Sequence, residues 1–118
     1  MILPARIPIK KGGILRGPKR RWPRHEGFVR RHQCCIPGCS DGPIELAHVR
    51  LGAKNNGTGI KPFSWFCISL CSAHHREAHQ HGEATFQARY KIDLAALAAE
   101  FARRSPDMEM KAAMKEAE

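Results

Sequence analysis

Two segments in the first half of the chain have the hydrophobic pattern of β-strands. Ile44–Arg50 alternates apolar and polar residues, which is typical of a strand with one buried face. Phe63–Leu70 is rich in aromatic and β-branched residues and indicates a second strand. The segment 51–62 between them is rich in glycine and asparagine, so we expect a loop there.

Helical patterns dominate the rest of the chain. We predict a helix over Leu70–His81, with Ser72 as a candidate N-cap and Gly82 as the residue that ends it. Asp93 is a candidate N-cap for a later helix with an apolar stripe of leucine and phenylalanine. This later helix is predicted over Leu94–Arg104. The other predicted helices are Arg24–His32, Glu83–Tyr90 and Asp107–Glu118.

These elements predict a small α+β protein built around one domain. The chain has 118 residues, and its 42% apolar share includes many alanines, so the core is thin and a bound metal would help to stabilise it. Residues 1–23 contain four prolines and three glycines and are predicted to form an extended arm. We therefore divide the chain into a basic arm (1–23), a central domain (24–104) and a C-terminal helical tail (105–118).

Positive charge is concentrated at the N-terminal end. The net charge is +9, and residues 1–31 carry ten Lys and Arg against one acidic residue, Glu26. The remaining residues carry ten of each sign. This distribution favours contact with a polyanion such as nucleic acid, and the alternative is a solvated basic tail.

The helix predicted over Leu70–His81 combines one thiol with four imidazoles. At 100° per residue, Cys71 and His74 lie on one face, and His75 and His79 lie on a neighbouring face. One helix could therefore bind a metal ion with each face. An odd count of five cysteines beside clustered histidines also favours metal binding over disulfide bonds.

A second group of thiols lies in the segment Cys34-Cys35-Ile36-Pro37-Gly38-Cys39. Its Pro-Gly pair predicts a turn that brings the flanking thiols together. Either Cys34 or Cys35 could pair with Cys39, and Cys71 and His74 would complete a set of three sulfurs and one nitrogen. Zn²⁺ is the ion that such a tetrahedral set favours.

No segment has the uninterrupted apolar run of a membrane span, and the N-terminus lacks the pattern of a signal peptide. We therefore expect a cytoplasmic protein with reduced cysteines and no membrane partner. The sequence does not indicate an oligomeric state.

Four short motifs, in this order, resemble those of the HNH endonucleases, and in particular a zinc-containing branch found in phages and prophages. They are Cys-Cys-Ile-Pro-Gly-Cys, Ala-His-Val-Arg, Gly-Thr-Gly-Ile-Lys-Pro and Leu-Cys-Ser-Ala-His-His-Arg-Glu-Ala-His, and the resemblance covers roughly residues 22–104. It implies a ββα-metal core, similar to a treble clef, in which two strands and a helix hold a catalytic metal beside a structural zinc.

The resemblance also implies roles for individual residues. His48 would be the general base that deprotonates the attacking water, and His75 and His79 would hold a catalytic divalent ion such as Mg²⁺ or Mn²⁺. The implied reaction is hydrolysis of a DNA phosphodiester that leaves a 5′-phosphate, with RNA as an alternative substrate. The implied structural zinc ligands are Cys34, Cys39, Cys71 and His74. Candidate phosphate contacts are Arg30, Arg31, Arg50, Lys61 and Arg76.

The chain departs from the family pattern at two places. Ala47 stands where many members have His or Asp, and Ser64 and Trp65 stand where a loop carboxylate is expected. These departures favour an alternative in which the protein is a non-catalytic zinc module that binds nucleic acid or a protein partner.

Overall fold

A computed structural model describes residues 3–5, 19–51 and 63–117 of the chain. Within these residues the protein is an α+β structure with a two-stranded sheet, as the hydrophobic pattern predicts. The helices that the structure describes are all too short or too polar to cross a membrane. The elements in chain order are α1 (Pro23–Arg30), β1 (Ile44–His48), β2 (Cys67–Cys71), α2 (Ser72–His81), α3 (Glu83–Tyr90), α4 (Leu94–Arg104) and α5 (Met108–Glu116).

The two strands form an antiparallel pair. The register runs from Ile44 opposite Cys71 to His48 opposite Cys67, so the end of β1 lies beside the start of β2. Every residue of β2 is buried, whereas β1 alternates between more and less exposed positions. This pairing places the start of β1, Ile44 and Glu45, next to the junction between β2 and α2.

The second strand begins later than its composition predicts. Phe63–Phe66 forms a turn closed by a hydrogen bond of 2.9 Å from the Phe66 backbone N–H to the Phe63 carbonyl oxygen. Aromatic residues are frequent in strands because they pack well, but here Phe63 and Trp65 are buried by a separate cluster and not by strand pairing. The strand therefore starts at Cys67 and extends through Cys71.

Helix α2 begins at Ser72, and the prediction that Ser72 is its N-cap is wrong. The N-cap is Cys71, which has an extended backbone and a sulfur that accepts a hydrogen bond from the His74 N–H at 3.5 Å. The Ser72 hydroxyl instead donates to Glu45 Oε2 at 2.9 Å. Leu70 belongs to the strand, so the predicted helix is shorter by two residues at its start.

The other helices agree closely with the sequence pattern. Gly82 ends α2 with φ +85°, a backbone conformation that favours glycine. Helix α4 begins after Asp93, whose carboxylate accepts a hydrogen bond from the Ala96 N–H at 3.0 Å. Helix α1 differs slightly from Arg24–His32, because it begins at Pro23, a residue that suits the first turn, and ends at Arg30.

The main core lies between the sheet and the helices that follow it. Its largest side chain is that of Phe86 on α3, which is fully buried. Its buried residues come from the turn at residues 34–39, which we call the thiol turn, from both strands and the residue after β1, and from α3 and α4. This packing explains how a two-stranded sheet is stabilised. The buried residues are Cys34, Ile36, Ala47, Val49, Ile68, Leu70, Cys71, Phe86, Leu94 and Ala98.

A second cluster joins the residue before α1 to the turn before β2 and to helices α4 and α5. We call it the tryptophan cluster; its buried members are Trp22, Phe63, Trp65, Ala102 and Met110. The rings of Phe63 and Trp65 stack with centroids 4.4 Å apart. The Trp22 backbone N–H donates to Ser64 Oγ at 2.9 Å. The last residues before α1 are therefore held against the turn that precedes β2, and Met110 holds α5 on the same surface.

The Asp93→Ala substitution tests the cap of α4. It removes the hydrogen bond to the Ala96 N–H, so we expect the free energy of unfolding to fall by about 1 kcal/mol. Urea denaturation followed by circular dichroism measures this change. Asp41→Ala, in an exposed turn, is the matched control, and an equal loss in both variants would contradict the capping role.

Candidate functional site

The thiol turn has the geometry that its sequence predicts. The Cys39 backbone N–H donates to the Ile36 carbonyl oxygen at 3.0 Å, and Gly38 has φ +80°. Proline followed by glycine in the left-handed region is typical of a type II turn. The Cys35 N–H donates to the Ser69 carbonyl oxygen at 2.9 Å, which attaches the start of the turn to β2.

Three thiols and one imidazole converge where the turn meets the start of α2. The ligand atoms of Cys34, Cys39, Cys71 and His74 all lie within 4.8 Å of one another. His74 Nδ1 is 3.5, 3.6 and 3.2 Å from the sulfurs of Cys34, Cys39 and Cys71. The sulfurs of Cys39 and Cys71 are 4.0 Å apart.

These separations fit a tetrahedral zinc site. With Zn–S and Zn–N bonds of about 2.3 and 2.05 Å, tetrahedral ligands lie about 3.8 Å apart for two sulfurs and about 3.6 Å apart for sulfur and nitrogen. The Cys₃His cluster is therefore consistent with a structural metal such as zinc.

The surroundings of the cluster support metal binding. Burial raises the pKa of the Cys34 thiol to about 11, which disfavours a free thiolate at this position, whereas a bound cation would stabilise it. Cys71 lies at the N-terminus of α2, where the helix dipole favours negative charge. Phe86 and Tyr90 pack against the His74 ring, with centroids 6.4 and 5.3 Å away, and hold it in place.

The structure also distinguishes between the two neighbouring cysteines. Cys34 belongs to the cluster, whereas the Cys35 sulfur lies 3.5 Å from Ser69 Oγ. Burial raises the pKa of the Cys35 thiol, and its contacts are with β2. Cys34, and not Cys35, is therefore the fourth potential ligand of the cluster.

A cavity of about 760 Å³ lies beside the cluster-bearing helix and contains the other predicted histidines. His48, at the end of β1, and His75 and His79, on α2, all line it. Arg30 and Arg50 line the same cavity. Groups that are distant in sequence, from α1, β1 and α2, are thus brought to one surface.

The two helix histidines face each other within this cavity. His75 Nε2 and His79 Nε2 are 3.1 Å apart. On its other side, His75 Nδ1 lies 2.8 Å from Glu45 Oε1. Hydrogen bonds from His75 and Ser72 lower the pKa of the Glu45 carboxyl, so this group is ionised at neutral pH.

Glu26 is a second carboxylate at the cavity that was not identified from the sequence. Its side chain is only 1% exposed, and Arg21 Nη2 lies 2.9 Å from its Oε1. Burial by itself would raise the pKa of the Glu26 carboxyl. The hydrogen bond and charge of Arg21, together with the charges of Arg30 and His48, outweigh burial, so the pKa is lowered. The sequence does contain a feature that could have identified this residue, because Glu26 is the single acidic residue among the first 31.

Glu83 is a third carboxylate of this surface. Its oxygens accept hydrogen bonds from the Arg50 N–H at 2.9 and 3.0 Å and from the Leu51 N–H at 3.0 Å. Glu83 thus fixes the backbone just beyond His48. Sequence spacing could not identify this contact, because it joins residues more than thirty positions apart.

The remaining predicted residues have different positions. Arg31 and Arg76 are exposed and do not line the cavity, and Lys61 lies outside the described residues. Ser64 accepts a hydrogen bond from Trp22, Trp65 belongs to the tryptophan cluster, and neither lines the cavity.

Comparison of the chain with protein-family models, curated proteins and solved structures gives no match.

The Cys39→Ser substitution tests the cluster. Losing one thiolate ligand should release the metal and lower the free energy of unfolding by about 4 kcal/mol or more. Elemental analysis after dialysis and urea denaturation measure the two effects. Cys35→Ser is the matched control and should retain one zinc per chain; equal zinc content in both variants would contradict the ligand assignment.

Proposed function

We propose that this protein is a metal-dependent endonuclease of the HNH type that hydrolyses DNA phosphodiester bonds. In this proposal β1, β2 and α2 form the ββα-metal core, and the Cys₃His cluster holds the structural zinc. We also propose that the protein comes from a phage or prophage. This origin is supported by the sequence resemblance.

The observation that carries the proposal is the shared cavity. It gathers His48, His75 and His79 on one surface with Arg30 and Arg50. A phosphodiester that enters this cavity would meet imidazoles that can exchange protons or bind a cation, and guanidinium groups that bind phosphate oxygens.

His48 is proposed as the general base. A neutral imidazole can accept a proton from water, which is the step that a general base performs. Glu83 holds the backbone immediately after this strand, and Glu26 lies in the surrounding cavity wall. Glu83 thus supports a fixed backbone at Arg50 and Leu51, directly after the strand that carries His48.

His75 and His79 fit a shared divalent ion. Two nitrogens bound at about 2.1 Å to one ion lie about 3.0–3.4 Å apart, and the observed Nε2 separation is 3.1 Å. A divalent ion bound there would stabilise the charge that develops on the phosphate and the leaving oxygen. The two histidines would hold it, with water and the phosphate as further ligands.

The basic N-terminal region supports nucleic acid as the partner. Arg20 and Arg21 also line the cavity, directly before α1. The tryptophan cluster holds this segment on the domain, because Trp22 is buried and bonded to Ser64. Among the described residues, Arg20, Arg21 and Arg30 therefore form part of the cavity wall. RNA would satisfy the same contacts and differs only as the target.

A second candidate is a non-catalytic zinc module that binds nucleic acid. It is favoured by one observation: among the described residues, the Cys₃His cluster is the single group of three or more potential ligands close enough to share one ion. Metal stoichiometry separates the two candidates, because a zinc module binds one ion and the nuclease binds a second, weaker one.

The His48→Ala substitution tests the nuclease. We expect plasmid cleavage with Mn²⁺ or Mg²⁺ to fall by about 100-fold or more, since general bases contribute factors of about 10²–10⁴. EDTA should abolish wild-type cleavage. His32→Ala, an exposed histidine outside the cavity lining, is the control. If the wild type cleaves neither single- nor double-stranded DNA with any divalent ion, the nuclease proposal fails.

The Arg30→Gln substitution tests the phosphate contacts. Removing one cationic contact should weaken DNA binding for all sequences and reduce the slope of log K against log salt by about 1. Fluorescence anisotropy over a range of salt concentrations measures both effects. Arg104→Gln, at an exposed position at the end of α4, should leave the slope at the wild-type value. Identical slopes for all three proteins would remove Arg30 from the interface.

A further inference from the structure

We infer that Glu45 is a positioning residue that fixes the tautomer of His75 and thereby prepares its Nε2 to bind a divalent ion. This inference rests on the metal-binding part of the proposed function. It does not depend on DNA cleavage, so the two can fail separately.

Glu45 connects the two elements that form the site. It lies on β1 opposite Leu70, one residue before the end of β2, and its side chain reaches α2. Both of its oxygens have partners: Oε1 is 2.8 Å from His75 Nδ1, and Oε2 accepts the Ser72 hydroxyl at 2.9 Å. The carboxylate is therefore held from two sides, with its oxygens directed at the helix.

The contact determines which His75 nitrogen carries hydrogen. An ionised carboxylate has no proton and can only accept hydrogen bonds. The hydrogen in the 2.8 Å contact must therefore lie on His75 Nδ1. A neutral His75 then has its lone pair on Nε2, the nitrogen that faces His79. This is the arrangement in which a carboxylate orients a metal-binding histidine.

The tautomer of His79 is not fixed in this way, because no carboxylate among the described residues forms a hydrogen bond with its ring. Its Nε2 lies 3.1 Å from His75 Nε2, so before metal binding the hydrogen of this contact lies on His79 Nε2. A shared ion requires a lone pair on both nitrogens. His79 must then release a proton from Nε2 and take one up at Nδ1, with no net proton change. Its exposed ring can exchange these protons with water.

The site thus pairs one histidine of fixed tautomer with one that adapts. The alternative is that Glu45 and His75 form an ordinary surface ion pair, since their side chains are 46% and 21% exposed. Such pairs contribute little, and the alternative predicts no effect on metal affinity. The nearby charge of Arg76 favours the ionised form of Glu45 in either case.

The tautomers can be read directly by NMR. Protein with the Cys₃His cluster filled by one equivalent of Zn²⁺ is labelled with ¹⁵N, and long-range correlations of the imidazole ring identify the protonated nitrogen. We expect hydrogen on His75 Nδ1 and on His79 Nε2. After a second equivalent of Zn²⁺, which is diamagnetic, we expect hydrogen on Nδ1 of both rings.

The affinity for the second Zn²⁺ is measured by calorimetry on the same zinc-loaded protein. Glu45→Ala should raise its Kd by about 10–100-fold and release His75 from its single tautomer. Glu45→Gln keeps a neutral acceptor and should give a smaller increase. Ser72→Ala removes the other partner of Glu45 but leaves the His75 contact, so it controls for effects on the start of α2. Glu100→Gln, an exposed ion-paired carboxylate on α4, controls for the loss of charge.

Retention of the first zinc shows that each variant is folded. An unchanged second Kd in Glu45→Ala, or hydrogen on His75 Nε2 in the wild type, would overturn the inference, as would the absence of a second zinc site. If instead the wild type binds the second ion as described but does not cleave DNA, the nuclease proposal fails and the role of Glu45 stands.

Discussion

The junction between β2 and α2 is the constraint on which the rest of the structure depends. Cys71 ends the strand, accepts the first hydrogen bond of the helix through its sulfur, and contributes that sulfur to the Cys₃His cluster. A single residue therefore links sheet pairing, helix initiation and the candidate metal cluster. Because the thiol turn meets the same point, the cluster joins three segments that a sheet of only two strands could not hold together by itself.

This junction also decides what each face of α2 can do. Once Cys71 fixes where the helix starts, the rotation of about 100° per residue directs His74 to the sulfurs and its neighbour His75 to the cavity. His79, four residues after His75, returns to the cavity face. The Cys₃His cluster thus sets the orientation of the candidate catalytic histidines. A change at the cluster should therefore alter the positions of His75 and His79, which are not part of it.

Among the described residues, four arginines and three glutamates line the cavity, and the three carboxylates fix groups in its wall. Glu26 on α1 binds Arg21, Glu45 on β1 binds His75, and Glu83 on α3 binds the backbone after β1. Each holds a positive group or a backbone donor in one orientation, and each comes from a different element. An exposed cationic surface attracts a polyanion without orienting it, whereas chemistry on one phosphate requires groups with fixed positions. These acidic contacts are what distinguishes the cavity from a basic patch.

The sequence by itself determined the features that depend on neighbouring residues: the helices α3 and α4, the Asp93 cap, the end of α2 at Gly82, the turn at Pro37-Gly38, and the spacing that assigns Cys71 and His74 to one face. Only the tertiary structure decided which of Cys34 and Cys35 joins the cluster, that Cys71 caps α2, where β2 begins, and which carboxylates hold the cavity. These outcomes join residues tens of positions apart, such as Glu45 with His75 and Leu51 with Glu83. Local patterns carry no information about such contacts, because they arise when packing of the core brings distant segments together.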